Sequence, residues 1–443
     1  MGSAVQLGIL GAGLSGLVIA YKSSFPALIF EASNTVGGLL RSEEIEGYIF
    51  DAGGSHIVFS KDQQLLATML SFLDGKWVEH CRDARIYYRG RFIKYPFENG
   101  LYQLPPQERY ECLASFVELL VRRVRGELKP PRNFKEWCYY VFGEAIANRH
   151  LVPYSEKIWK HPLEEISLDW VSGRVPEPPV EDVLKSAVGL PTEGYTHQLT
   201  FYYPLKGGIH SLARSLASKA QSKCAFLQDH PVKRIKPEDR CFIVSSGRKE
   251  YSVEKLVSTI PLPELLKALP DSAVPEKVKE AAKKLKYLSL AVVGLGVRGR
   301  APPYHWVYLP FNGIAHRISF PSNYSPHNAP TGHYSVLAEI SYLPSDDLSK
   351  MSDSSLMEKV VDDLHEMGVI KREHVVLSKV WRWNYAYIVY DHSYRAAVSA
   401  IKSYLNTLGI AVAGRFGGWQ YLNMDAVVDE ALKVAEDINP SKN

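Results

Sequence analysis

The chain has 443 residues, 46% apolar and 23% charged, a balance that excludes a disordered or low-complexity protein and suggests about two to four domains. Basic residues exceed acidic ones by 52 − 48 = 4. That excess is too small for a general nucleic-acid binder, although a local basic pocket for a small anion stays open.

Residues 5–10 read as a short apolar strand, Gly11-Ala12-Gly13-Leu14-Ser15-Gly16 as a turn, 17–22 as a helix, and 27–30 as a second strand ending at Glu31. Pro105 and Pro106 open a helical stretch with helices over 109–124, 134–142 and 167–174, closed by Pro176, Pro178 and Pro179. Strand patterns return at 225–227, 232–235, 242–245 and 255–260. Aromatic and β-branched runs at 288–297, 306–309, 335–340 and 375–383 predict an antiparallel sheet. A strand at 410–413, a loop and a helix over 424–438 complete the chain.

Cys81, Cys112, Cys138, Cys224 and Cys241 show no paired spacing, so neither a disulfide framework nor a metal site is expected. No apolar run is long enough to span a membrane. The apolar stretch 7–21 is interrupted by glycines and preceded by no basic residue, unlike a secretory signal. Gln6 stands where myristoylation of Gly2 requires serine or threonine. These features predict a soluble cytoplasmic protein with reduced thiols.

The turn has the spacing Gly11-x-Gly13-x-x-Gly16. Its glycines permit a tight turn, approach of a pyrophosphate, and close helix–strand packing. The helix that follows offers unpaired N–H groups, and Leu14 and Ser15 of the turn are expected beside the cofactor with the glycines. Glu31, twenty residues after Gly11, can accept hydrogen bonds from a ribose. Glu31-Ala32, then Gly37-Gly38-Leu39 and Arg41, is similar to the flavin-binding signature of the amine oxidase and protoporphyrinogen oxidase class. Asp51-Ala52-Gly53-Gly54 continues it, and Val232 opens a strand where that class contacts the adenine part. FAD is therefore the expected cofactor. No cysteine near the C-terminal flavin segment is available for a thioether bond.

Further blocks run in a shared order: Tyr95-Pro96-Phe97-Glu98-Asn99; Pro153-Tyr154-Ser155-Glu156-Lys157-Ile158-Trp159 with Arg174 beyond; Trp306-Val307-Tyr308-Leu309-Pro310, Arg317 and Ser322-Asn323-Tyr324; and Gly414-Arg415-Phe416-Gly417-Gly418-Trp419-Gln420-Tyr421. In these blocks the chain resembles the UDP-galactopyranose mutase family, most nearly its eukaryotic branch. The resemblance implies an α/β fold: a Rossmann-like FAD-binding domain (1–100, 191–270, 396–443), a helical insertion (101–190) and an antiparallel β-sheet substrate domain (271–395). It implies that reduced FAD acts as a nucleophile, its N5 attacking the anomeric carbon and displacing UDP, so that the sugar ring reopens and recloses without net redox. Arg174 and Arg317 would clamp the pyrophosphate, helped by Tyr308, Tyr324, Tyr387 and Tyr421. Tyr95, Phe97, Glu98 and Ser155 would face the nucleotide, and Trp159 the sugar. His56 would lie over the flavin with Gly53, Gly54 and Ser55, and Gly414, Arg415, Asn423 and Met424 along its edge.

The chain departs from the family's pattern where Ser55 intervenes before His56, where Glu98 replaces a glutamine and Ser155 an asparagine, and in its shorter length. The changes at Glu98 and Ser155 leave the base open, because a carboxylate cannot donate unless protonated. Two other readings share the flavin signature or the architecture: an amine- or porphyrin-oxidising flavoenzyme, and a binding protein like the Rab GDP-dissociation inhibitors.

Overall fold

The structure is a computed structural model and describes residues 4–171, 174–193 and 199–439. Met1 and Gly2, residues 172–173 of the helix predicted over 167–174, and residues 194–198 lie outside the described residues.

Two seven-stranded sheets carry the fold. In the first, Val5–Leu10 pairs in parallel with Ala27–Phe30 on one side and Lys249–Ser258 on the other. Cys224–Leu227 extends the Ala27–Phe30 edge, also in parallel. The outer edge of Lys249–Ser258 is shared: its first half pairs antiparallel with Phe242–Ser246, and its last residues pair in parallel with Ile410–Val412. The predicted strand 255–260 is thus the second half of a longer one. Leu7, Ile9, Leu10 and Ile29 are all buried, as parallel strands covered on both faces require. Helix Leu14–Lys22 crosses over this sheet, and helix Met424–Ile438 packs on that helix, with Val428, Ala431 and Ala435 buried.

The second sheet runs in the order Val375–Ile388, Tyr287–Arg298, His333–Tyr342, Arg317–Ser319, Trp306–Tyr308, Ala84–Tyr88, Arg91–Lys94. It is antiparallel except that Trp306–Tyr308 runs parallel to Ala84–Tyr88. No hairpin joins these two distant segments, so turn geometry does not dictate their direction. Helices Pro106–Val124, Phe134–Ile146, Val152–Trp159 and Val180–Ala187 bury Phe116, Trp137, Val141 and Val183 in one core with Ile86, Ile93, Leu288 and Leu290 of the sheet. Asn133 caps the second of these helices, accepting from the Glu136 N–H at 2.9 Å.

Helix 17–22 starts three residues early, at Leu14, because the glycine turn lets the chain enter helical geometry at once. Among the described residues, the helix predicted over 167–174 forms one turn, Leu168–Trp170. The carbonyls of Asp169 and Trp170 accept Nη1 of Arg174, at 3.3 and 3.1 Å.

Candidate active site

A cavity of about 410 Å³ lies between the two sheets, within the range of small-molecule sites. Its first wall is the glycine turn, with Gly13, Leu14, Ser15, Gly38 and Leu39 facing it. At Gly16 an added Cβ would overlap the carbonyl of Gly11, so only glycine lets this helix sit on the strand end. Gly38 has φ +55° and brings its backbone against Gly13. Glu31 braces the turn: Oε2 accepts from Ala12 N and Oε1 from Ser33 N, both at 2.9 Å. Gly11, Gly16, Glu31, Ala32 and Val232 stand behind or beside this wall rather than on the cavity. So does Arg41, whose guanidinium sits 4.6 Å over the Trp383 ring.

Three observations fit a dinucleotide cofactor here. A Cβ on Gly13 would meet nothing within 4 Å, so the turn leaves open space where a pyrophosphate approaches. Helices Leu14–Lys22 and Met424–Ile438 both begin at the cavity, at Gly13 and Asn423, without a side-chain cap. Their free N–H groups and positive dipole ends suit anionic oxygens. Arg415, on the same wall with Gly414 and Met424, donates Nη1 to Leu422 O at 3.3 Å and Nη2 to Ala386 O at 2.6 Å. Its buried Nε has no partner, an orphaned donor that a ligand acceptor would satisfy.

The opposite wall comes from the second sheet. Tyr308, Arg317 and Glu339 are direct cross-strand partners on three neighbouring strands, so their side chains project from one face in one row. Arg317 donates Nε to Glu339 Oε1 at 2.9 Å and Nη2 to Oε2 at 2.7 Å. Its Nη1 has no hydrogen-bond partner among the described residues. Burial alone would lower the Arg317 pKa, but the facing carboxylate of Glu339 holds it well above the usual value. Glu339 also accepts from Ser55 N at 3.2 Å, which ties the Gly53, Ser55 and His56 segment to this row. His56 bonds through Nδ1 to the Gly54 carbonyl at 2.8 Å. A carbonyl only accepts, so Nδ1 carries the proton and Nε2 is left as an acceptor. Burial lowers the His56 pKa to about 4, and the ring is neutral at physiological pH.

Tyrosines fill the remaining wall. Tyr95 packs on Tyr308 at 4.8 Å between ring centres. Tyr387 and Tyr421 stack at 5.9 Å and 13°, with the Arg415 guanidinium 4.1 Å over Tyr421. Trp159 is buried behind them, edge-on to Tyr421 and Tyr387.

Other predicted residues lie off the cavity. Phe97, Glu98 and Ser155 are buried in the helical core. Tyr324 is fully buried, its hydroxyl donating to His305 O at 3.2 Å and facing Ser55 Oγ at 2.7 Å. Gly54 sits against Glu339. Arg174 gives Nε and Nη2 to Tyr421 O at 3.2 and 2.7 Å, Nη2 also to Tyr390 OH at 3.3 Å, and Nη1 to Asp169 and Trp170. In this arrangement every donor of Arg174 is used within the chain. Sequence reasoning missed Glu339, Arg82 and Trp306, which line the cavity. A lone glutamate in a strand that is otherwise apolar or small and fully buried past its first residue was the available signal for Glu339.

Fold and site together define a flavoenzyme: a dinucleotide-binding sheet with a parallel centre and a second sheet that close one cavity over two helix N-termini. The flavin containing amine oxidoreductase family matches residues 14–439, and the chain belongs to that family. Among solved structures, reduced UDP-galactopyranose mutase is similar over 98% of this chain and 95% of that one, with TM-score 0.87 and 27% identity. A candidate protoporphyrinogen oxidase from Exiguobacterium sp. 255-15 shares the fold at TM-score 0.76 and 19% identity, over 98% of this chain and 99% of that one. Putrescine oxidase bound to putrescine shares it at TM-score 0.66 and 16% identity, with 98% and 99% covered. Among the described residues no helix is long and apolar enough to cross a membrane, and no group of three acidic, histidine or cysteine side chains could hold a metal. The five cysteines are unbridged.

Proposed function

We propose that this chain is an FAD-dependent mutase that interconverts UDP-galactopyranose and UDP-galactofuranose. The observation that carries the reading is the row Tyr308–Arg317–Glu339 facing the same cavity as the glycine turn. It sets a guanidinium with an open edge opposite the cofactor wall, where a leaving pyrophosphate needs a cation. Likeness to the mutase over nearly the full length of both chains supports it.

When bound in reduced form, the flavin supplies a nucleophilic ring nitrogen for the anomeric carbon, and no net redox change is required. The protein's task is then positioning and charge stabilisation. Arg317 presents Nη1 to phosphate oxygens while Glu339 holds its other edge. Tyr308, Tyr387 and Tyr421 add phenolic donors that bring no charge. Arg174 joins the clamp only by exchanging its bonds to Tyr421 and Tyr390 for phosphate oxygens. His56, neutral and held by Gly54, presents an acceptor at Nε2 toward the cofactor.

The parallel pair Tyr387 and Tyr421 also resembles an aromatic cage for an amine. Arg415 already places a cation over these rings, so an amine substrate would meet like charge there. This disfavours amine oxidation.

The test is to react the dithionite-reduced, flavin-loaded protein anaerobically with UDP-galactofuranose and to read the products by chromatography. Conversion to UDP-galactopyranose with reduced protein and none with oxidised protein is expected. UDP binding without conversion would move the reading to another nucleotide sugar. Failure to bind UDP would overturn it.

A further inference from the structure

The strands that carry Tyr308 and Arg317, Trp306–Tyr308 and Arg317–Ser319, are only three residues long. Tyr308 and Arg317 are the last cross-strand pair before the connecting loop. One further bond closes the hairpin, from Leu309 N to His316 O at 2.9 Å. Beyond it the chain turns through residues 310–315, where Phe311 is exposed. Ladder ends and exposed loops open first, so whatever holds this loop also holds the pair.

Two side chains from other elements hold it. From helix Val152–Trp159, Lys157 donates Nζ to the carbonyls of Leu309 and Asn312, both at 2.8 Å. From helix Asp353–Glu366, Asp363 accepts from Ile314 N at 2.8 Å. A Cβ on Gly313 would overlap the Asp363 carboxylate, so the loop lies directly on that side chain.

Lys157 is unlike a surface lysine. It is half-buried and forms no ion pair with a carboxylate among the described residues. Burial, together with the neighbouring charge of Lys160, pushes its ammonium down to about 7. Asp363 acts on it only at a distance and pairs with Lys359 at 3.7 Å. Two carbonyls compensate a desolvated charge poorly, so this contact adds little stability. What it does add is placement. Leu309 is the residue next to Tyr308, and the same helix sets Tyr154 edge-on to Tyr308 at 5.3 Å. It also sets Trp159 edge-on to Tyr387 and Tyr421. Ser341 Oγ donates to Ile158 O at 2.7 Å, which seats the helix on the strand that carries Glu339. One short helix thus reaches Tyr308, Tyr387 and Tyr421 together.

We propose that Lys157 is a positioning residue for the diphosphate clamp. Its ammonium ties the Leu309 and Asn312 carbonyls to helix Val152–Trp159 and so fixes the Tyr308–Arg317 pair relative to Tyr387 and Tyr421. Lys157 does not line the cavity itself, and it acts only through these residues. The inference rests on the reading of the cavity as a nucleotide-sugar site.

The test compares flavin-loaded wild type, Lys157→Met and Lys157→Arg by UDP titration, by conversion of UDP-galactofuranose with the reduced proteins, and by thermal melts. Lys157→Met keeps the apolar stem and removes the donors. Because it also removes a desolvated charge, its melting temperature and flavin content should match wild type. Its UDP dissociation constant and its KM should rise about tenfold, inside the roughly 100-fold that a misplacement of about 1 Å can cost. Its kcat should change far less, since the clamp holds the diphosphate in the ground state and the transition state alike. Lys157→Arg still donates to two carbonyls and should return both values toward wild type. Lys157→Gln, with a shorter reach and one amide donor group, should fall between them. Wild-type affinity in both Lys157→Met and Lys157→Gln would overturn the inference. So would a loss of affinity that accompanies a lowered melting temperature and is not restored by arginine, because a purely structural contact behaves that way. A wild type that binds no UDP would overturn the mutase reading and this inference together. UDP binding shared equally by wild type and Lys157→Met would overturn the inference alone.

Discussion

Glu339 and Arg317 form the pair on which the reasoning about this cavity is most exposed to test. The Glu339 side chain is 2% exposed and that of Arg317 25%, so the carboxylate is sealed while the guanidinium opens to the cavity. Glu339→Gln keeps the volume and one acceptor but removes the charge. If a diphosphate takes the open edge of Arg317, an arginine fork shared between two anions sets them about 7 Å apart. At an effective dielectric of about 20, one charge at that distance repels another by about 2.4 kcal/mol, or roughly 50-fold in affinity. Solvent in the open cavity screens part of this, leaving about tenfold as the expected gain. Glu339→Gln should therefore bind UDP about tenfold more tightly than wild type, with a larger difference at low salt. Glu339→Ala should instead lose stability by about 3–5 kcal/mol, because it leaves a buried cation without its partner. The assay is a UDP titration of flavin-loaded protein at two ionic strengths, with a thermal melt beside it. Unchanged or weaker UDP binding by a well-folded Glu339→Gln protein would refute the idea that Glu339 offsets the field of Arg317.

Arg317→Ala should weaken UDP binding by about 2–5 kcal/mol, read in the same titration, whereas Arg174→Ala should first lower the melting temperature without UDP, because its donors join Tyr421, Tyr390 and the 169–170 turn. Gly13→Ala should fold normally yet purify with little flavin, since its Cβ points into open space at the cofactor wall, while Gly16→Ala should lose folded protein through overlap with Gly11; visible absorbance relative to protein absorbance, with circular dichroism, separates the two. Stability should fall as pH drops from about 6.5 toward 4. Burial lowers His56, His210 and His305 to about 4 and His150 to about 3, below the unfolded value near 6.5, so the unfolded chain takes up protons that the native state refuses. Asp51, raised by burial to about 6, has the opposite sign, because its native state holds a proton that the unfolded chain has released. Like the other four histidines, His316 is held well below its ordinary value by burial, so the net difference near pH 5 is about four protons, or roughly 5 kcal/mol per pH unit; denaturant melts at pH 7, 6 and 5 with no loss of stability would contradict these assignments.

The parts of the site that local chain geometry dictates were legible in the sequence. The glycine turn, Glu31 and the strands around them follow from spacing alone, and helix Met424–Ile438 has the predicted bounds. The Arg317–Glu339 pair was not legible because the two residues meet only through strand register, 22 positions apart. Tyr324 could not be separated from the other tyrosines by its motif. Its burial under Phe201 and Tyr203 is a tertiary fact, as is the depth of Phe97 between Tyr88 and His150. The parallel pairing of Trp306–Tyr308 with Ala84–Tyr88 was not legible for the same reason: the two strands come from distant segments.

The arginines at the site share a feature that bears on the mutase reading. Arg317 spends one edge on Glu339, Arg415 spends both Nη atoms on carbonyls, and Arg174 spends every donor within the chain. A diphosphate binding here exchanges partners with these groups more than it fills empty donors, so each new bond adds little net affinity while fixing position. The fresh donor is the open edge of Arg317, since the orphaned Nε of Arg415 and the two uncapped helix ends lie on the cofactor wall. A reaction in which the leaving group must stay bound and then return requires this balance. Tighter binding of the free diphosphate would stabilise the separated state and slow the return step, and looser binding would lose it to solvent.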